Sequence, residues 1–177
     1  MEKRFTDIFE EAKSRYKELQ DTNIGLRFGN GWFFTMHASL EPKSVFSKKR
    51  KYYVKVNLKR NDILSKLSDA DILGWFGHEL AHVAEYEKMS NFKLFLFILR
   101  YVFDVKFRFV VEKRINAFTC NNGFAQELFG VLKKFISLDT NAKYKKYIID
   151  NYRPDWDDIK ETAQNQGITR QIYESLK

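Results

Sequence analysis

Ser68-Asp69-Ala70-Asp71-Ile72-Leu73-Gly74-Trp75-Phe76-Gly77-His78-Glu79-Leu80-Ala81-His82-Val83 is the stretch on which the reading of this chain turns. Ser68 is suited to cap a helix, and the acidic residues that follow suit the positive end of its dipole. Ile72, Phe76, Leu80 and Val83 then recur at helical spacing as an apolar stripe. The spacing predicts a helix over Asp69 to Lys88. His78 and His82 fall beside the stripe and not within it. Residues i and i+4 of a helix lie one above the other on one face, so the two imidazoles can reach a single metal ion. Glu79, between them, is placed to act on a water held by that ion. An HExxH pattern arises by accident in well under about 1% of chains of this length. The chain has 3 histidines, and two are here. Paired with Glu79 on a helix whose apolar face lies elsewhere, they point to metal binding and away from a pair of core histidines.

Outward from this stretch the chain divides in two. Towards the N-terminus, Phe5, Ile8, Phe9, Ala12, Tyr16 and Leu19 predict an amphipathic first helix ending near Asp21-Thr22-Asn23. Ile24 to Phe28, Gly31 to Ala38 and Tyr52 to Leu58 read as strands, with Asn30-Gly31 as a turn between the first two. From Asp62 onward the reading is helical. Asp62 to Leu67 leads into the motif helix. Phe92 to Phe103 is strongly apolar and reads either as a buried helix or as a membrane-contacting or lid element. Lys93, Arg100 and Asp104 interrupt it, which favours burial. A helix over Lys106 to Cys120 carries Phe107, Val111, Ile115 and Phe118 as its stripe, and Asn121-Asn122-Gly123 breaks it. Phe124 to Ile136 follows. Shorter helices come after, with Pro154 at a start and Gly167 at an end. Strands first and helices afterwards predict an α+β domain. The expected organisation is one domain over 1–177: helix and sheet to about 60, motif and later helices over 61–138, and a C-terminal helical segment over 139–177.

Composition limits the function classes. The 177 residues include 44% hydrophobic side chains and 17 Phe, enough for a core. A single cysteine, Cys120, excludes an internal disulfide and a Cys-rich zinc module. No secretory leader pattern and no run of about 20 apolar residues is seen, so an intracellular, cytoplasmic and non-spanning protein is expected. The net charge of +8 reads first as a solubilising surface. Nucleic acid is the alternative partner, with Lys48-Lys49-Arg50-Lys51 as the densest basic run, in a hairpin connection. No RNA-binding, zinc-finger or helix-turn-helix pattern accompanies it.

Zinc sites that carry out chemistry take three protein ligands and keep a fourth position for water. Some zinc peptidases extend the motif to HExxHxxGxxH, but here Glu85 and Lys88 occupy the glycine and third-histidine positions. No histidine follows His82, and His37 lies upstream on a predicted strand. A carboxylate remains. Glu85 would have to reach back along its own helix. Glu112, on a separate helix, is better placed, and Asn116 lies four residues on, where it can hydrogen-bond a ligand imidazole and fix its orientation.

His78-Glu79-Leu80-Ala81-His82 followed by Glu112-Lys113-Arg114-Ile115-Asn116-Ala117 resembles the gluzincin pattern of zinc peptidases. It is most similar to the HtpX and CAAX-prenyl-endopeptidase family, and resembles the soluble minigluzincins. The likeness covers about Tyr52 to Leu138. The second motif departs from Glu-x-x-Ala-Asp, with Ile115 for Ala and Asn116 for Asp. The resemblance implies a zincin-like fold, zinc as cofactor, a polypeptide substrate, and an upstream strand, here Tyr52 to Leu58, lining the cleft. Glu79 would be the general base. Gluzincins stabilise the oxyanion with a downstream His or Tyr; here the candidates are Tyr144, Tyr147, Tyr152 and Arg153. Zinc-dependent endopeptidase, non-catalytic zinc-binding scaffold on a peptidase fold, and basic nucleic-acid-associated protein are the three readings.

Overall fold

The computed structural model describes residues 1–31, 35–45, 47, 49–138 and 157–166. Helix α1 (Glu2–Ser14) precedes three strands, β1 (Asn23–Gly29), β2 (Met36–Leu40) and β3 (Lys51–Asn57). Helices follow: α2 (Asn61–Leu64), α3 (Asp69–Glu87), α4 (Asn91–Phe103), α5 (Val105–Thr119), α6 (Ala125–Leu138), and α7 over 157–166. The architecture is α+β, a small sheet followed by helices, as the order of sequence patterns predicts.

The sheet order is β1-β3-β2. β3 pairs parallel with β1 and antiparallel with β2. The first two strands are therefore not neighbours, and Asn30-Gly31 does not close a hairpin between them. Gly31 instead exchanges two hydrogen bonds with the Asn57 side chain, at 2.9 and 3.0 Å. The second strand begins at Met36, later than the alternation predicts. Residues 32–34 lie outside the described ones. β3 buries Tyr52, Val54 and Val56 on one face, the period-2 pattern of a half-covered sheet.

α1 ends earlier than its apolar periodicity predicts. Tyr16 leaves the helix for an extended conformation, φ −95° and ψ 93°. Its ring stacks on Phe124 at 5.5 Å and its hydroxyl donates to the Gly77 carbonyl at 2.6 Å. Tyr16 and Leu19 stay buried, so the pattern marked the core correctly while tertiary contacts set the helix end.

α3 is the centre of the molecule, contacting α1, β2, α5 and α6. Its start is a capping box. The Ser68 hydroxyl accepts from the Asp71 N–H, and the Asp71 carboxylate accepts from the Ser68 N–H at 2.8 Å. Phe76 meets the edges of Phe5 and Phe9, with ring centroids 6.1 and 5.4 Å away. At Gly74 an added Cβ would lie 2.4 Å from the Glu127 carbonyl carbon, so the α3–α6 crossing requires glycine there. Between α5 and α6 the chain breaks at Gly123, φ 84°, in the predicted Asn121-Asn122-Gly123 segment. α7 packs Ile159 and Ala163 into the core, and Gln166 accepts from the Ala125 N–H. Pro154 and Gly167 lie outside the described residues.

One residue of the basic run has a structural role, and one expectation about surfaces changes. Arg50 of the basic run donates to the Tyr86 carbonyl at 2.8 Å and to Asn91 Oδ1 at 2.9 Å, so it ties the end of α3 to the start of α4. The apolar segment Phe92 to Phe103 is a helix, α4, but it is not buried. Only Leu94 and Phe97 are covered, while Phe92, Phe95, Leu96 and Phe103 face outward. One face of α4 is enough to pack on α3 and α5, and no described element covers the other. No helix among the described residues is long and apolar enough to cross a membrane.

Candidate metal centre

Two turns of α3 and the middle of α5 supply the site. Helical spacing stacks His78 over His82, their rings 5.0 Å apart and edge-on. α5 crosses beside them and brings in Glu112. His78 Nε2 lies 3.2 Å from Glu112 Oε2, and His82 Nε2 lies 3.4 Å from Glu112 Oε1. One ligand atom from each of the three falls within 4.8 Å of the others. A tetrahedral ion bound at about 2.0–2.2 Å spaces its ligand atoms about 3.3–3.6 Å apart, so two imidazoles and this carboxylate need little movement to hold one.

The surroundings orient these groups. Asn116, one turn along α5 and buried, places Oδ1 3.0 Å from His78 Nδ1. With Nδ1–H donating to that oxygen, Nε2 is turned toward Glu112. The Tyr101 hydroxyl donates to Glu112 Oε1 from α4, and its ring meets His82 edge-on at 6.2 Å. The Tyr86 ring lies 6.0 Å from that of His82. His82 Nδ1 is buried without a hydrogen-bond partner.

Electrostatics favour positive charge where the three groups meet. Burial works to raise the Glu112 carboxyl, but His82 and His78 outweigh it and hold the group well below the usual carboxylate range. Burial works to lower His78, and the Glu112 carboxylate outweighs it and raises the imidazole. Metal binding at such a site displaces protons and takes over their charge.

Glu79 is not part of this cluster. It is buried, and its Oε2 accepts the Ala38 backbone N–H at 2.7 Å. Burial raises its pKa, against the lowering effect of the two histidines. A carboxyl raised above its ordinary value and held in place by the Ala38 amide suits proton acceptance.

Three of the predicted residues thus converge, His78, His82 and Glu112, while Asn116 holds His78 and Glu79 is held by the Ala38 amide. Glu85 does not join them; Arg114 holds its carboxylate in an ion pair. Lys88 lies over the Phe118 ring at 4.6 Å. His37 sits on β2, and burial lowers its pKa. Tyr144, Tyr147, Tyr152 and Arg153 lie outside the described residues. One expectation is corrected. The strand that hydrogen-bonds Glu79 is β2 and not Tyr52 to Leu58: β3 is paired along both edges, and the Ala38 amide of β2 reaches the carboxylate. Sequence reading also missed Tyr101 and Tyr86. The signal for Tyr101 was a hydroxyl in a mostly apolar run. No family model matches the chain, and neither curated proteins nor solved structures give a match.

Proposed function

We propose that the protein is a zinc-dependent peptidase with a zincin-like fold, cleaving peptide bonds within polypeptide chains. The observation that carries the proposal is the convergence of His78, His82 and Glu112 on one point, with Glu79 held beside it. Two imidazoles and one carboxylate form a donor set suited to catalytic zinc, which leaves one position for water. When bound, zinc would lower the pKa of its water and polarise the substrate carbonyl. Asn116 and Tyr101 would keep His78 and Glu112 oriented as ligands.

Glu79 is the general base of this proposal. The Ala38 amide holds one carboxylate oxygen and leaves the other to take the proton of the attacking water. The same carboxyl then returns a proton to the leaving amine. β2 lies at an edge of the sheet, so an extended peptide could run alongside it. Tyr144, Tyr147, Tyr152 and Arg153 are the proposed oxyanion donors.

Elemental analysis of zinc-supplemented protein should find about one zinc per chain, lost in His78→Ala/His82→Ala. Glu79→Gln should keep the zinc and lose cleavage of an unfolded protein substrate. Equal cleavage by Glu79→Gln, or wild-type metal content no higher than in the double variant, would refute the proposal. Zinc-loaded wild type without hydrolysis would favour the scaffold reading.

A further inference from the structure

α4 carries two apolar stripes on opposite sides. Leu94, Phe97 and Tyr101 recur at i, i+3, i+7 and face the protein, where Phe97 meets Tyr86 and Phe107. Phe92, Phe95, Leu96, Leu99, Val102 and Phe103 recur at i, i+3, i+4, i+7, i+10, i+11 and face outward. At about 100° per residue the second stripe lies opposite the first. Phe92 is 71% exposed and Phe103 81%, so the outward stripe runs the length of the helix. Such a contiguous apolar face marks a binding surface.

The charges beside it are mainly positive. Lys93 and Arg100, seven residues apart, share one flank of α4, and exposed Lys106 follows at the start of α5. Asp104 is the only acidic residue over 91–110, and it is engaged with Arg100 and the Phe107 N–H. A symmetric antiparallel contact between two copies through this face would place the cationic flanks of both on the same side. A polypeptide partner would have to satisfy a long, flat apolar strip with few polar anchors. An anionic lipid surface meets both requirements, with acyl chains for the phenyl and leucyl groups and headgroups for the lysines. The 13 residues of α4 rise about 20 Å, short of the ~30 Å hydrocarbon core, so the helix would lie in the interface and not span it.

We propose that the outward face of α4, with its flanking lysines, docks the protein on anionic membrane surfaces. This is independent of the zinc reading, since the face points away from His78, His82 and Glu112. Docking would bring the protein's centre to a bilayer, because Tyr101 on the inward side of the same helix holds Glu112.

The test is flotation of the full chain with vesicles of phosphatidylcholine alone or mixed with phosphatidylglycerol, at low and high salt. Binding should require phosphatidylglycerol and weaken with salt. Phe92→Ser/Phe103→Ser should weaken it by about tenfold or more. Lys93→Gln/Lys106→Gln should weaken it about twentyfold on mixed vesicles. Both pairs are exposed, so their thermal melts should match wild type, and a melt confirms it. Absence of wild-type binding to mixed vesicles, or equal binding by both variants, would overturn the proposal. A dimer in sedimentation that Phe92→Ser/Phe103→Ser dissolves, without vesicle binding, would assign the face to a second copy instead.

Discussion

Gly74→Ala and Gly130→Ala add the same methyl group to two helices and should change stability in opposite directions. At Gly74 the new Cβ would lie 2.4 Å from the Glu127 carbonyl carbon, 2.5 Å from its oxygen and 2.6 Å from the Leu128 nitrogen. These are backbone atoms of α6 and cannot rotate aside, so the helices must separate. Overpacking of this kind costs about 1–3 kcal/mol or more. Alanine recovers at most about 1 kcal/mol of helix propensity. Contacts this short to backbone atoms place the cost in the upper part of that range, so the net effect is a loss of about 1–2 kcal/mol or more. At Gly130 the nearest contact would be Asp71 Oδ1 at 3.5 Å, an ordinary van der Waals distance, so the propensity gain of about 0.5–1 kcal/mol should survive. A chain of this size shifts its Tm by about 2–4 °C per kcal/mol. Thermal unfolding followed by circular dichroism should therefore fall by several degrees for Gly74→Ala and rise by about 1–4 °C for Gly130→Ala. Because Gly74 is one turn before His78, the first substitution should also weaken metal binding, and the second should not. An unchanged or raised Tm for Gly74→Ala would refute the claim that the α3–α6 crossing is as tight as described.

Glu112→Gln should weaken zinc affinity by about 100-fold or more in a chelator competition titration, while Glu85→Gln changes it little, because Arg114 already engages Glu85. The reverse order would refute the ligand assignment. Tyr101→Phe removes the hydroxyl donor to Glu112 but keeps the ring; an affinity loss of about tenfold with an unchanged fold is expected, and undiminished affinity would reject its positioning role. Asp71 provides a test by pH. Burial works to raise its carboxyl, but Lys134 and Ser68 outweigh it and hold the group below its ordinary value. Its ionised form therefore stabilises the fold fully above about pH 4, the ordinary Asp range, and loses that effect as pH falls through the lowered value. Asp71→Asn should lower stability by about 0.5–1 kcal/mol at pH 7. The gap to wild type should close on acidification in urea titrations; a constant gap would show that charge is not the cause.

The sequence by itself determined the local features of this protein. Ser68 and Asp71 defined the start of α3, and the i, i+1, i+4 spacing along a helix placed His78, Glu79 and His82 relative to one another. Gly123 marked a break because few other residues tolerate its backbone conformation. Glu112 was legible by elimination among residue types and by its separation along the chain. What periodicity could not supply was which surfaces meet. The pairing of β1 with β3, and not with β2, depends on contacts remote in sequence, so a local turn signal at Asn30-Gly31 misdirected the reading. The strand beside Glu79 was chosen by the same pairing. Tyr101 reached Glu112 only because α4 folds back over α5. α4 itself shows the limit most clearly: its composition predicted burial, yet a helix has more than one face, and tertiary packing covered only the one bearing Leu94, Phe97 and Tyr101. Hydrophobicity records that a side chain gains by leaving water; which neighbour removes it from water is decided by the fold.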